Sequence, residues 1–218
     1  MTMQDKTSTA WESVGFDLSG VLDSASAGLV LRMLAQRDPD TYAHSERVSR
    51  LVVRIGEELH LTPDELETLR LGALLHDIGK ISVNLGILNK PSKLESHEYV
   101  LVQNHTVLGF EFLQNVPGLE RFALIARSHH ERYDGKGYPD LLVGEDIPFL
   151  ARIVAVADSL DVMLNGRVYQ KRRTPRDIIL EVSKNVRTHF DPQVVNALMN
   201  VWQSGALPLE EAESQLTE

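Results

Sequence analysis

A chain of 218 residues with 43% apolar side chains can build a sizeable core, and its lack of cysteine excludes disulfides, thiolate-bound zinc and thiol catalysis. Its formal charge of −9, from 22 basic and 31 acidic residues, opposes general binding to a nucleic-acid backbone, which needs a basic face. An anionic substrate stays open if a local site supplies positive charge, as metal ions do. The first residues lack a basic start followed by an apolar run, and no stretch of about 18 consecutive apolar residues occurs, so a cytoplasmic chain with no membrane span is expected.

Residues 1–20 read as a loosely ordered lead, with Trp11 and Phe16 as docking side chains. Apolar positions from Leu22 to Leu34 recur at helical spacing and predict a first helix over 21–36, ended by Asp38-Pro39. A second helix is predicted from Thr41 to Leu59, with Val48, Leu51, Val52 and Ile55 on one face. Thr62-Pro63-Asp64-Glu65 reads as an N-cap, a proline at the first helical position and an acidic first turn. The third helix, 63–78, becomes apolar nearly all round towards its end, where Gly79 is the expected C-cap. Further helices are predicted over 95–115, 119–130, 147–164, 175–187 and 191–203, with a Gly/Pro-rich loop from Tyr133 to Pro148. Alternating strand patterns are nearly absent. The expectation is an all-α domain over 21–206, its first helix included, followed by an acidic tail, 207–218.

Chemistry concentrates at His76-Asp77, at the apolar end of the third helix. A carboxylate in such surroundings is costly unless it is paired or coordinates a metal. Imidazole and carboxylate donors together suit zinc, iron, manganese, cobalt or nickel. An adjacent His and Asp is equally well a buried hydrogen-bonded pair, and any lone histidine is more often a satisfied core residue than a ligand. The set carries more weight than its members: His44, His76, His105, His129 and His130, with Asp77 and Asp158, fall on several helices beside apolar sequence. Helix bundles build metal sites in this way, from ligands converging inward.

The order His44, His76-Asp77-Ile78-Gly79-Lys80, His105, His129-His130-Glu131, Asp134-Gly135-Lys136-Gly137-Tyr138-Pro139, Asp158 resembles the HD-GYP branch of the HD-domain superfamily. The resemblance covers about residues 36–192 and extends to Thr41–Val48, Ile147–Ile153 and Phe190-Asp191-Pro192. It implies a helical bundle with a Gly/Pro-rich GYP loop, two or three divalent ions, most readily iron or manganese, and a bacterial cyclic di-GMP phosphodiesterase yielding pGpG and then GMP. By resemblance the ligands are His44, His76, Asp77, His105, His129, His130 and Asp158, with Asp77 bridging two ions. Asp40, one helical turn before His44, stands where some relatives hold a third ion; its plainer role is to cap the second helix. Lys80 is placed to contact the phosphate or leaving oxygen; its plainer role is to offset the dipole of the preceding helix. Gly137, Tyr138 and Pro139 shape the substrate pocket, Tyr138 offering a ring to a guanine, while Arg167 and Lys171 stand on the substrate side.

Two departures from the family pattern bear on substrate contacts. A Gly-Leu pair usual after the GYP is replaced by Asp140-Leu141-Leu142-Val143-Gly144, and Gln170 stands where a basic residue is usual, followed by Lys171-Arg172-Arg173. One alternative is therefore a phosphohydrolase for another cyclic dinucleotide. Another is a weakly active or inactive module that binds metal and nucleotide and docks to a signalling partner such as a diguanylate cyclase. A homodimer through residues 1–36 is also open.

Overall fold

A computed structural model of the chain describes residues 25–165 and 174–207. The lead, Arg167, Gln170, Lys171 and the tail beyond Leu207 lie outside the described residues. In chain order the helices are α1 (Ala25–Arg37), α2 (Pro39–Glu58), α3 (Pro63–Leu75), a short α4 (Leu85–Leu88), α5 (Ser96–Gln103), α6 (His105–Gln114), α7 (Ala123–Ser128), α8 (Phe149–Asn165), α9 (Pro175–Lys184) and α10 (Pro192–Gln203). Shorter 3-10 turns cover Ile78–Ser82, Glu120–Phe122 and Gly144–Asp146. Among the described residues only isolated bridges stand in for strands, Asp134 with Val143 and Val186 with Phe190. The all-α expectation holds.

Local chemistry sets several boundaries. Asp38 caps α2: its carboxylate accepts from the Thr41 amide at 3.1 Å, and Pro39 takes the first helical position. Asp40 is therefore not the cap; it sits exposed in the first turn. At α3 the Thr62 hydroxyl accepts from the Glu65 amide at 3.3 Å while the Glu65 carboxylate accepts from the Thr62 amide at 2.8 Å, a reciprocal capping box.

The core has two lobes. In one, α2 (Val48, Leu51, Val52, Ile55), α8 (Ile153, Val154, Val156, Leu160) and α10 (Val194, Leu198, Val201) pack with Ile178 and Val182 of α9. In the other, α1 (Val30, Leu31, Leu34) packs with Leu113, Leu119, Phe122 and Ala126. The helix α3 serves both lobes, giving Leu69 and Ala73 to the first and Leu71, Leu74 and Leu75 to the second. A helix wedged between two cores must be apolar all round, which is why its sequence reads that way. Each fully buried Leu or Ile contributes about 1.5–3 kcal/mol. The consequence for function is positional: His76-Asp77, at the end of α3, emerges at the centre of the molecule.

Several boundaries differ from the sequence expectation: the helix expected over 175–187 stops at Lys184, and the one expected from Thr41 to Leu59 runs Pro39–Glu58. The helix α3 ends at Leu75, not residue 78, and Gly79 lies inside the following 3-10 turn and is not its cap. A Cβ on Gly79 would stand 1.9 Å from the His105 carbonyl oxygen and 2.6 Å from the Gly109 amide nitrogen, so its glycine permits a backbone-to-backbone crossing with α6. The single helix expected over 95–115 is two, divided at Asn104, and the one over 119–130 is a 3-10 turn followed by α7, which stops at Ser128.

Candidate metal centre

The helix ends explain the site. His76 follows the last residue of α3, His105 follows the break after α5, and His129 follows α7. Each turns its Nδ1 back onto a main-chain oxygen three residues earlier: Ala73 at 2.7 Å, Val102 at 2.5 Å and Ala126 at 2.9 Å. A carbonyl can only accept, so Nδ1 carries the hydrogen in all three rings and Nε2 keeps a bare lone pair. Carbonyls at the helix ends thus become the devices that orient imidazoles.

Those lone pairs converge on Asp77, which is buried. Its Oδ1 lies 3.2 Å from His105 Nε2 and 3.8 Å from His129 Nε2; its Oδ2 lies 3.4 Å from His76 Nε2 and 4.0 Å from His44 Nε2. Two groups result, each with ligand atoms within 4.8 Å of one another: Asp77, His105, His129 and His130, and His44, His76 and Asp77. Asp77 belongs to both. Asp158, from α8, borders the second group with Oδ1 3.0 Å from His44 Nε2. Lys80, from the 3-10 turn, places Nζ 2.5 Å from Asp77 Oδ2.

Burial acts to raise the Asp77 carboxyl, but the neighbouring Lys80 ammonium leads the opposing effects, and the group is held well below the usual carboxylate range. Burial, with neighbouring imidazoles, pushes His129 well below the usual histidine value, and burial takes His130 down to about 3. Both rings are therefore neutral donors. For His44 burial acts downwards, yet the adjoining carboxylates of Asp158 and Asp161 raise it overall.

The arrangement fits cations better than it fits a structural hydrogen-bond network. His44 Nε2, His76 Nε2 and Asp77 Oδ1 are buried and make no well-formed hydrogen bond. An unsatisfied buried polar atom costs about 1–3 kcal/mol, so three in one place is a poor structural solution. His105 Nε2 and His129 Nε2 face each other at 3.4 Å, two lone pairs with no hydrogen between them in the tautomers that the carbonyls impose. An ion held by these atoms removes each penalty at once.

The remaining expected site residues are placed as follows. The Tyr138 ring lies 4.9 Å from that of His130 at an interplanar angle of 31°. Gly137 is buried, and a Cβ there would lie 2.3 Å from the Arg132 amide nitrogen, so the loop doubles back on itself more closely than a larger residue permits. Pro139 follows Tyr138 through a cis peptide. Asp40 stays exposed and belongs to neither group. Arg167 and Lys171 lie outside the described residues.

Two further carboxylates were given no role by the sequence reading. Asp161, one turn beyond Asp158, accepts from His44 Nδ1 at 2.7 Å; its only signal was a second acid three residues after the first in an apolar run. Glu131, buried beside His130, accepts from the amides of Asp140 at 2.6 Å and Leu142 at 3.1 Å. These bonds flank Leu141, whose φ of 58° is left-handed. The loop therefore turns at Leu141 without the glycine usual in the family pattern, at a cost of about 1–2 kcal/mol for an L side chain. Leu141 is 61% exposed, so little burial offsets this. Leu141→Gly should leave stability unchanged or raise it by up to about 1 kcal/mol, after the roughly 0.5–1 kcal/mol entropic penalty of glycine. Leu141→Ala, which keeps the strain, should give no such gain. Urea midpoints decide, and a Gly variant clearly less stable than the Ala variant would refute strain at this turn.

Among the described residues no helix is long and apolar enough to cross a membrane. The chain is 41% identical over 170 residues to a cyclic di-GMP phosphodiesterase response regulator, RpfG, of Xanthomonas campestris, a match covering 77% of this chain and 45% of that protein. It is 39% identical over 175 residues to a cyclic di-GMP phosphodiesterase of Thermotoga maritima, covering 79% and 48%. A 3'3'-cGAMP-specific phosphodiesterase of Vibrio cholerae is 34% identical over 168 residues, covering 76% and 32%. The aligned part thus spans less than half the length of each of these relatives. Among solved structures, a HDG"Y"P protein from Bdellovibrio bacteriovorus superposes with a TM-score of 0.62 at 22% identity, covering 76% of this chain and 53% of that one. A cyclic GMP-AMP specific phosphodiesterase in V. cholerae gives 0.59 at 22% identity, covering 82% and 47%, and both likenesses concern the fold. The HD-domain family model matches residues 28–194, and the chain belongs to that family, in its HD-GYP branch.

Proposed function

We propose that this chain is a metal-dependent phosphodiesterase that hydrolyses cyclic di-GMP to pGpG and further to GMP. The observation that carries this reading is Asp77, a buried carboxylate shared by two groups of inward-facing ligand atoms, several without a well-formed hydrogen bond. Three of the first relatives are named for cyclic-dinucleotide hydrolysis, and their names support the substrate class.

When bound, two divalent transition-metal ions supply Lewis acidity towards phosphate oxygens and lower the pKa of a water to a useful range. In this reading Asp77, His105, His129 and His130 hold one ion, and Asp77, His44 and His76, with Asp158, hold the other. A donor set of nitrogen and carboxylate oxygen without sulfur suits iron or manganese. Asp40 is outside both groups, so two ions is the favoured count. The protein's own part is orientation: carbonyls behind three imidazoles keep Nε2 aimed inward, and the apolar lobes on either side exclude water. Lys80, with its ammonium at the centre, donates to a phosphate oxygen or to the leaving oxygen. Tyr138, beside His130, offers its ring to a guanine base, with Arg167 and Lys171 as the further substrate-side candidates.

A second substrate is favoured by one observation: several V. cholerae relatives, 32–34% identical to this chain, are named as specific for 3'3'-cGAMP. Protein reconstituted anaerobically with iron or manganese should convert cyclic di-GMP to pGpG and GMP, separated by chromatography, and should turn over 3'3'-cGAMP more slowly. Faster turnover of 3'3'-cGAMP would reassign the substrate. No turnover of either by fully loaded protein would reject the enzyme and leave a docking role, such as recruitment of a diguanylate cyclase.

A further inference from the structure

The imidazoles of the centre are not all oriented alike. His76, His105 and His129 each donate Nδ1–H to a main-chain carbonyl. His44 instead donates to a carboxylate, Asp161 Oδ2, at 2.7 Å. That carboxylate is held on every side. Arg47 reaches Oδ1 through Nε at 2.7 Å and Oδ2 through Nη2 at 3.0 Å, and Asn165 Nδ2 reaches Oδ1 at 2.9 Å. Arg47 is one turn beyond His44 on α2, and Asp161 is one turn beyond Asp158 on α8, so this cluster joins the two helices immediately behind a pair of candidate ligands.

A carbonyl and a carboxylate behind an imidazole do different things. Both fix the tautomer and the ring plane, but a carboxylate also places negative charge behind the ring and makes Nε2 a stronger donor. Burial enhances the difference, because Asp161 and His44 are both shielded from solvent. Arg47 and Asn165 satisfy the rest of the carboxylate, which therefore cannot swing away from His44.

We infer that Asp161 is a positioning residue for His44, holding Nε2 towards Asp77 and Asp158, a role that main-chain carbonyls fill for His76, His105 and His129. The two metal positions are consequently inequivalent. This inference rests on the two-metal reading above, and the experiment separates the two.

Manganese binding is measured by equilibrium dialysis with elemental analysis, alongside the electron paramagnetic resonance of the bound ions, for wild type, Asp161→Asn, Asp161→Ala and Arg47→Ala. Wild type should bind two ions per chain and show the spin-coupled signature of a manganese pair. Asp161→Ala should keep one ion at wild-type affinity and weaken the other by roughly 10–100-fold, leaving an uncoupled signal at limiting metal. Asp161→Asn, which keeps the shape without the charge, should weaken the same ion less, and Arg47→Ala least. Should Asp161→Ala lose its helical circular dichroism, the Asn and Arg47 variants decide alone. Two ions bound by the folded variants at wild-type affinities would overturn the inference and leave the two-metal reading intact. A wild-type protein that binds fewer than two ions would reject the two-metal reading itself, and the inference with it.

Discussion

Asp77→Ala is expected to abolish cyclic-dinucleotide hydrolysis, by about three orders of magnitude or more, because the variant loses the one side chain common to both ligand groups. The distinguishing outcome is in the metal content. His105→Ala removes a ligand from one group and should cost one ion; His44→Ala should cost the other; Asp77→Ala should cost both. Elemental analysis of the three purified variants, with chromatographic assay of pGpG and GMP, tests this directly. Asp77→Asn sharpens the point, since it keeps the shape but leaves the Lys80 ammonium, 2.5 Å away, without its countercharge. Turnover near wild type in either Asp77 variant would rule out a bridging role for this carboxylate.

Gly79→Ala should destabilise the fold by about 3 kcal/mol or more, an effect at the upper end of overpacking, and should also damage the centre. The added methyl would lie 1.9 Å from the His105 carbonyl oxygen and 2.6 Å from the Gly109 amide nitrogen. Main-chain atoms have no rotamer to escape into, so α6 must move away, and His105 moves with it. Gly72→Ala is the control. Its methyl would meet Ile125 Cδ1 at 2.2 Å, the far end of a side chain that can turn, so its cost should be nearer 1 kcal/mol. Urea denaturation of the two variants, with manganese content of the folded protein, measures both effects. Equal stability of the Gly79 variant and wild type would refute the close crossing of the 3-10 turn over α6.

Much of this protein was legible in the chain because the determining physics is local. Helical spacing of apolar residues marked every long helix, and Thr62, Pro63 and Glu65 announced the start of α3 through contacts within a few residues. The all-round apolar end of α3 already implied burial on both sides, and so placed His76-Asp77 deep in the molecule. The break at Asn104 was hidden because its φ of −64° and ψ of −11° stay close to helical values, leaving the apolar pattern running through it. Nor could the pattern mark Leu75 as the end of α3, since the residues beyond it remain buried in the same core.

What the sequence by itself determined is therefore the helical class, the approximate segments and the inventory of imidazoles and carboxylates. Only the tertiary structure decided which way those groups face. The inward aim of His76, His105 and His129 depends on helices ending so that a carbonyl three residues back faces the ring, and that end is set by packing against other helices. The clamp on His44 joins it to Asp161, 117 residues away in the chain, and contacts of that span leave no periodic or capping signal in either segment. Local propensity shapes each helix, while the direction of a lone pair at the centre is fixed by how the helices meet.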